Sequence, residues 1–314
     1  MTIKTALIGY TGFVGSNLVE QHHFEKLYNS KNISEIAGQE IDLVVCAGVS
    51  AIKWLANQQP QVDIDNIEKL KQCLTKVKVK HLVLVSTIDV YDTPLAVDED
   101  VVPDANKQDY YGKHRYLLEK WVSEQANFKN YTIIRLPGLF GNHIKKNLVF
   151  DIMNPLAKSI NQGLWNELQS KLTIQQQELI LCHYTIDEFL NLQQKSGISL
   201  EDKKQLIAAF NSAGFSTLNF TDSRSSFQFY NLANLWNDIN NYAVKQKLSV
   251  VNLSSEPITT AELVHYLTNK DFTNHTAKGG VSYDMYSKYA TNHKYLYSKL
   301  DTLAQIKSLV EKSK

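Results

Sequence analysis

The sequence is poor in the features that mark secreted, membrane-spanning or metal-dependent proteins. Among 314 residues there are three cysteines, Cys46, Cys73 and Cys182. They are odd in number and far apart, which excludes a disulfide framework and fits reduced thiols in a cytoplasmic protein. Cys46 lies inside an apolar run and reads as core. No apolar run approaches the ~20 residues needed to cross a bilayer, so no membrane partner is expected. The chain opens on a buried-type strand, not on a charged segment with a cleavage site, so no secretory leader is expected. An excess of one charge is missing too: 33 basic and 32 acidic residues nearly cancel. That speaks against a nucleic-acid surface or a polybasic membrane patch. The nine histidines show no metal-ligand spacing. His22 and His23 are adjacent and point to different faces of a helix, so no metal is expected. There is no P-loop, no internal repeat and no low-complexity segment.

What is present begins with the first sixteen residues. Hydrophobic content of 43% supports a sizeable core, and the length suits one large α/β unit or two closely joined domains. The apolar run Ala6-Leu7-Ile8 stops at Gly9, glycines recur at Gly12 and Gly15, and Ser16 to Glu20 continues as a helix. A glycine turn lets the backbone approach a phosphate, and the helix start offers free N–H groups with partial positive charge. The spacing is G-x-x-G-x-x-G, not the commoner G-x-G-x-x-G. An ordinary strand-to-helix turn is the competing reading. The position directly after an apolar strand favours nucleotide binding, with Thr11, Phe13 and Val14 sharing the cradle with the glycines.

Strands and helices then alternate. Residues 16–23 read as a helix and 24–28 as a short strand. The loop after it, Asn29-Ser30-Lys31-Asn32, lacks the acid that a dinucleotide site usually offers to the ribose 2′-hydroxyl. Ser30 and Lys31 suit a 2′-phosphate or form a plain polar loop; the cofactor expected is NADP or NAD, with a slight lean to NADP. Residues 41–48 form a near-continuous apolar run of the kind found in central parallel strands. Residues 51–57 suggest a helix before Pro60. Asp63 to Val77 is a clearer one, with Ile64, Ile67, Leu70, Leu74 and Val77 at helical spacing. Residues 81–87 are another buried-type strand, 92–106 a loop, 110–125 a helix and 130–136 a strand stopped by Pro137-Gly138. This alternation predicts a doubly wound parallel sheet, a Rossmann fold, with ligands at the carboxyl ends of its strands. The second half is less regular. Residues 147–170 look helical with loops, and 185–213 polar and helical. The stretch from Phe227 begins as a strand and turns helical, and 248–253 is a strand. A helix with a threonine cap starts at 259–260, and the tail ends in a helix.

Four features stand in one order: Gly9-x-x-Gly12-x-x-Gly15, Ser86-Thr87-x-x-Val90-Tyr91, Tyr111-Gly-Lys-His-Arg115 and Arg135-Leu-Pro137-Gly-Leu-Phe-Gly141. Over most of its length the chain resembles the extended short-chain dehydrogenase/reductase family, which includes nucleotide-sugar epimerases, dehydratases and 4-keto reductases. The resemblance implies an NAD(P)-dependent epimerase or keto-reductase acting on a nucleotide-linked sugar. Tyr111 would be its acid–base group and Thr87 the orienting hydroxyl. It adds Asn29, Ser86, Ala47, Gly48 and Pro137 to the cofactor side, the last three lining the nicotinamide. Asn66 resembles the family's helix asparagine, Asn252 lies in a strand similar to its N-V-G-S stretch, and Arg224 corresponds to its substrate-diphosphate arginine. The chemistry agrees: a tyrosine with a pKa near ~10 needs a nearby cation to lower it and a hydroxyl partner to orient the oxygen. The resemblance also implies a homodimer through helices 64–77 and 111–122. The expected division is 1–146 plus about 225–255 for the cofactor, and 147–224 plus 256–314 as a smaller, mostly helical substrate region.

Two departures stand out. The family motif is Y-x-x-x-K, but the fourth residue after Tyr111 is Arg115. Lys113 lies about 200° from Tyr111 around the helix at ~100° per residue and cannot substitute. Arg115 keeps the charge and can donate to a ribose hydroxyl, but it cannot relay protons. Sugar dehydratases often follow the threonine with Asp-Glu; here the pair is Ile88-Asp89, which counts against dehydration. Asp89 reads as the cap of a turn, or else as a base near the substrate. The alternative to an enzyme is a dinucleotide-binding sensor or scaffold that has lost catalysis.

Overall fold

The apolar runs become the strands of one parallel sheet, because each alternates its side chains between two covered faces. The computed structural model describes residues 3–291 and 294–313. The strands are β1 (Thr5–Ile8), β2 (Lys26–Tyr28), β3 (Glu40–Cys46), β4 (Lys78–Thr87), β5 (Phe128–Leu136) and β6 (Val250–Asn252). Their order across the sheet is β2-β1-β3-β4-β5-β6, parallel throughout. Four helices matter here: α1 (Phe13–Gln21), α2 (Lys53–Gln58), α3 (Pro60–Leu74) and α4 (Tyr110–Ser123). Ala6, Ile8, Val44, Cys46, Leu82 and Leu84 share one core with Ile67, Leu70 and Leu74 of α3 and Leu118 and Val122 of α4. The residues between them, Leu7, Leu43, Val45 and Val83, pack on the other face with Leu18 of α1 and the helical stretch 235–245. The fold is therefore a doubly wound α/β sheet, and the connections from β1 leave in opposite directions at β1 and β3. That switch point is where such sheets bind ligands.

Some boundaries differ from those expected. Helix α1 starts at Phe13 because Gly12, not Ser16, takes the cap position. Helix α3 starts at Pro60, where the missing N–H costs nothing and the fixed φ suits the first turn. Pro137 does end β5, but Gly138–Phe140 at once forms a second short strand, parallel to Phe229–Asn231.

The chain forms two compact units. The larger comprises residues up to Ile144 together with Ser226–Ile258 and Ser282–Lys312. Residues 282–312 were expected in the smaller region. They lie in the larger unit because the helix Lys299–Lys312 buries Thr302, Leu303, Ile306 and Val310, and Gln305 accepts a 2.8 Å hydrogen bond from Asn231. The outer limits of the expected spans, 1 and 314, fall outside the described residues.

The smaller unit, built from Lys145–Ser225 and Thr259–Val281, has its own core of Ile160, Trp165, Leu168, Ile180, Leu192, Leu206 and Phe210 among others. It is mostly helical, with one correction. Of the polar stretch 185–213, only Leu200–Ser212 is helix. Before it, Tyr184–Ile186 and Leu192–Gln194 pair antiparallel in a three-stranded sheet. The Asp187 carboxylate accepts the N–H groups of Phe189 and Asn191 at 2.9 Å, closing a turn that competes with helix formation. No helix among the described residues is long and apolar enough to cross a membrane.

Candidate functional site

The glycine turn lies at the switch point. Gly9 has φ +87°, which side-chain-bearing residues rarely adopt, and a Cβ there would fall 2.4 Å from the carbonyl oxygen of Ala47. A Cβ on Gly15 would fall 2.1 Å from the carbonyl oxygen of Gly9. The glycines therefore let β1, the turn, α1 and the Ala47-Gly48 loop close on one another. Gly12 caps α1 without any side-chain hydrogen bond. The N–H groups of the first turn, at Phe13, Val14 and Gly15, are thus available to a phosphate, and Thr11 and Gly12 are exposed beside them. A dinucleotide pyrophosphate fits this cradle. Asn29 is engaged in its own loop: its Nδ2 donates to the Tyr10 hydroxyl at 3.1 Å and its Oδ1 accepts the Lys31 N–H at 2.9 Å. Ser30 and Lys31 are exposed. Gly48 is exposed, Ala47 half-buried and Pro137 buried.

At the end of β4 the chain turns sharply. The Thr87 hydroxyl accepts the N–H of Asp89 at 3.2 Å, so Thr87, not Asp89, caps this turn. The Asp89 carboxylate instead accepts Lys53 Nζ at 2.7 Å, with the Thr87 hydroxyl 3.4 Å away. Helix α4 starts against this turn. Its cap Asp109 accepts the Gly112 N–H at 2.9 Å, and a Cβ on Gly112 would lie 2.0 Å from the carbonyl oxygen of Asp89. Tyr111, at this start, is 8% exposed, and its N–H donates to Asn57 Oδ1 at 2.9 Å. Burial raises the Tyr111 phenol above its ordinary value, and Asp89 adds to this. Arg115, Lys53 and the Thr87 hydroxyl oppose the rise without cancelling it. The expected lowering of the tyrosine is therefore not met in the protein alone; desolvation outweighs the cations.

Arg115 has a different position from the one expected. Its guanidinium lies over the face of the Tyr111 ring, 4.0 Å from the ring centre. Both terminal nitrogens bond the carboxylate of Asp63, one of them at 2.9 Å, and one also reaches the carbonyl oxygen of Ser50. His114 Nδ1 joins the same carboxylate at 2.8 Å. The arginine thus closes a buried pair between α3 and α4. Asp63 is the inward polar residue of α3; Asn66, one turn later, is exposed.

Ser86 is nearly buried and donates to Glu119. Glu119 is held by Arg135, whose other arm donates to the Tyr91 hydroxyl at 2.7 Å, and Asn252 Nδ2 donates to the same hydroxyl at 3.0 Å. Ser86 and Asn252 therefore belong to a core network. In the smaller unit, Arg224 is bound in two places by Asp222, Nε to Oδ1 at 2.9 Å and Nη2 to Oδ2 at 2.8 Å, and its side chain is 57% exposed. Of the apolar residues thought to pair two protomers, Ile67, Leu70, Leu74, Val77, Leu118 and Val122 are buried in the protomer's own core. Sequence reasoning missed Lys53, Asp63 and Asp109. Only Asp109, a cap residue before a helical run, carried a readable signal.

No protein-family model matches the chain, and no curated protein matches it. Solved structures do. One is MoeE5 in complex with UDP-glucose and NAD: 12% identity, 99% of both chains, TM-score 0.62. Another is UDP-N-acetylglucosamine 4-epimerase from Bacillus cereus: 15% identity, 98% of this chain and 99% of that one, TM-score 0.56. A third is dTDP-4-dehydrorhamnose reductase from Bacillus anthracis in complex with NADP: 14% identity, all of both chains, TM-score 0.56. At such identities the likeness is one of fold, and it runs the full length of the chain.

Proposed function

We propose that this chain, which has the fold of the extended short-chain dehydrogenase/reductases, is an NAD(P)-dependent enzyme that reduces or epimerises a nucleotide-linked sugar. The seating of the buried Tyr111 at the start of α4, where Gly112 packs on the Asp89 carbonyl of the turn that Thr87 caps, carries this reading. The Gly9–Gly15 cradle supports it, as do structural neighbours whose names include a nucleotide-sugar epimerase and a keto-sugar reductase. Gly12 to Gly15 would hold a dinucleotide's pyrophosphate at the start of α1, with Ala47, Gly48 and Pro137 flanking its nicotinamide, and the group would supply the hydride when bound. Ser30 and Lys31, with no acid beside them, admit either cofactor form. Thr87 orients the substrate oxygen, and Tyr111 exchanges a proton with it. Arg224 is the candidate for the substrate diphosphate once Asp222 releases it. The protein would act as a homodimer.

The test is turnover of a nucleotide-sugar and keto-sugar panel with NAD(H) and NADP(H). Tyr111→Phe is expected to lower turnover by about 10²-fold or more, the usual contribution of a general acid. Unchanged turnover would remove Tyr111 from the mechanism. The second reading, a dinucleotide-binding sensor without catalysis, is favoured by the sequestration of Arg115 by Asp63. It expects cofactor binding, no turnover, and no gain from Arg115→Lys; activity appearing in that variant counts against it.

A further inference from the structure

Asn29 emerges beside the glycine turn, because β1 and β2 are parallel neighbours and the Gly9 N–H donates to the Tyr28 carbonyl oxygen at 2.7 Å. A side-chain bond ties it there: Asn29 Nδ2 donates to the hydroxyl of Tyr10, 19 positions earlier, at 3.1 Å. In doubly wound sheets the residue about 20 positions past the glycine turn meets the ribose of the adenosine half, where a carboxylate accepts the 2′-hydroxyl. Here that position holds an amide whose acceptor is already used. Asn29 Oδ1 accepts the Lys31 N–H at 2.9 Å. Asn32 Oδ1 accepts the Asn29 N–H at 2.7 Å, and Asn32 Nδ2 donates to the Leu27 carbonyl oxygen at 3.0 Å. The Asn29 carbonyl oxygen accepts the N–H groups of Asn32 at 3.2 Å and Ile33 at 3.0 Å. Both side-chain amides are thus spent on the loop's own backbone or on Tyr10, and they fix its shape before anything binds.

What the loop leaves to a ligand is Ser30 and Lys31. Both are exposed, and among the described residues neither side chain has a hydrogen bond or ion pair. No carboxylate belongs to the loop. Glu25 lies at the opposite end of β2, and Glu35, on the helical turn Ile33–Ile36, acts on the phenol of Tyr28, which is buried in the core beneath α3. A ribose arriving here meets a free ammonium and a free hydroxyl, and no anion. A phosphate monoester brings the matching charge and three strong acceptor oxygens; a bare 2′-hydroxyl brings neither. We infer that this loop favours the 2′-phosphorylated dinucleotide, NADP(H), over the unphosphorylated one: Lys31 pairs with the 2′-phosphate and the Ser30 hydroxyl donates to it. The inference rests on the cofactor reading of the Gly9–Gly15 cradle given above.

The experiment reads binding and needs no substrate. Dissociation constants of the full chain for NADPH, NADH, 2′,5′-ADP and 5′-AMP are measured by isothermal titration calorimetry. NADPH is expected to bind about ten-fold or more tighter than NADH, the scale of one charged hydrogen bond, and 2′,5′-ADP to exceed 5′-AMP by a similar factor. Lys31→Ala, a change at an exposed side chain, should remove most of that preference and leave NADH affinity within about two-fold of wild type. Ser30→Ala should weaken NADPH alone, by a smaller factor. Asn29→Asp, which puts an acid at the 2′ position, should turn the preference towards NADH. Equal affinity for the two dinucleotides, or a preference for NADPH that Lys31→Ala leaves unchanged, overturns the inference. Tighter binding of NADH overturns it too, while the cradle reading stands. Failure of all four ligands to bind removes the cradle reading itself and the inference with it, so the two failures are distinguishable.

Discussion

The larger unit carries two kinds of ion pair, and their difference separates scaffold from site. Arg135–Glu119 is dry: the side chains are 5% and 2% exposed, and every arm has a partner in Ser86, Tyr91 or the pair itself. Lys53–Asp89 is wet, 43% and 19% exposed, with Asp109 as a looser second anchor. A dry, saturated pair has one arrangement and fixes the packing of α4 on the sheet. A wet, partly satisfied pair has several arrangements of similar energy, and a ligand can choose among them. Arg115–Asp63 belongs with the dry kind, although its sequence position suggested the other.

The sharpest way to break this comparison is to remove one partner of the driest pair. Glu119→Gln leaves Arg135 buried without its counter-charge and should cost about 3–5 kcal/mol, read as a drop in unfolding free energy in urea. A loss below about 1 kcal/mol would mean that the pair does not hold the structure. Arg115→Lys comes next. A lysine cannot reproduce the fork on Asp63 together with the bond to the Ser50 carbonyl, so a loss of about 1.5–3 kcal/mol is expected in the same measurement. A stability equal to wild type would place Arg115 among the responsive charges.

The smallest effect concerns a buried carboxylate without a cation. Asp238, 5% exposed, accepts the hydroxyls of Tyr230 at 2.6 Å and Tyr297 at 2.5 Å. Burial raises its pKa above the ordinary carboxylate value; the two hydroxyls oppose this only in part. The folded state therefore binds the proton more tightly than the unfolded chain. This contribution is full at low pH and is lost as pH rises from about 4 through the raised folded value. Asp238→Asn keeps an oxygen for both tyrosines and should lack this loss. Its stability at pH 7 should lie within about 1 kcal/mol of wild type, with the two curves drawing apart as pH falls through that window. Parallel urea midpoints from pH 4 to 7 would show that Asp238 titrates normally.

Much of the larger unit was legible in the sequence because its signals are local. Ala6-Leu7-Ile8, Val44-Val45-Cys46 and Leu82-Val83-Leu84 are strands wherever both faces are covered, and Gly9 and Gly15 announce the close approach they permit. The family resemblance, not local pattern, singled out Tyr111 and Thr87. The rest depends on distance along the chain. Lys53 is paired with Asp89, 36 positions away, and Arg115 with Asp63, 52 positions away. Nothing local marks either partner. In the smaller unit, Thr185 to Gln194 carries no clear period, and a single Asx turn at Asp187 decided strand over helix.

Gly112 gives the site an unusual sensitivity. The space its side chain would fill is already occupied by the carbonyl oxygen of Asp89. One added methyl would push the start of α4, and Tyr111 with it, off the turn that Thr87 caps, while every functional group stayed on the chain. Possession of the right residues and their registration are thus separable at one position. Gly112→Ala is accordingly a tool as much as a lesion: it turns the same inventory of side chains into an unaligned control, against which the value of alignment alone can be measured.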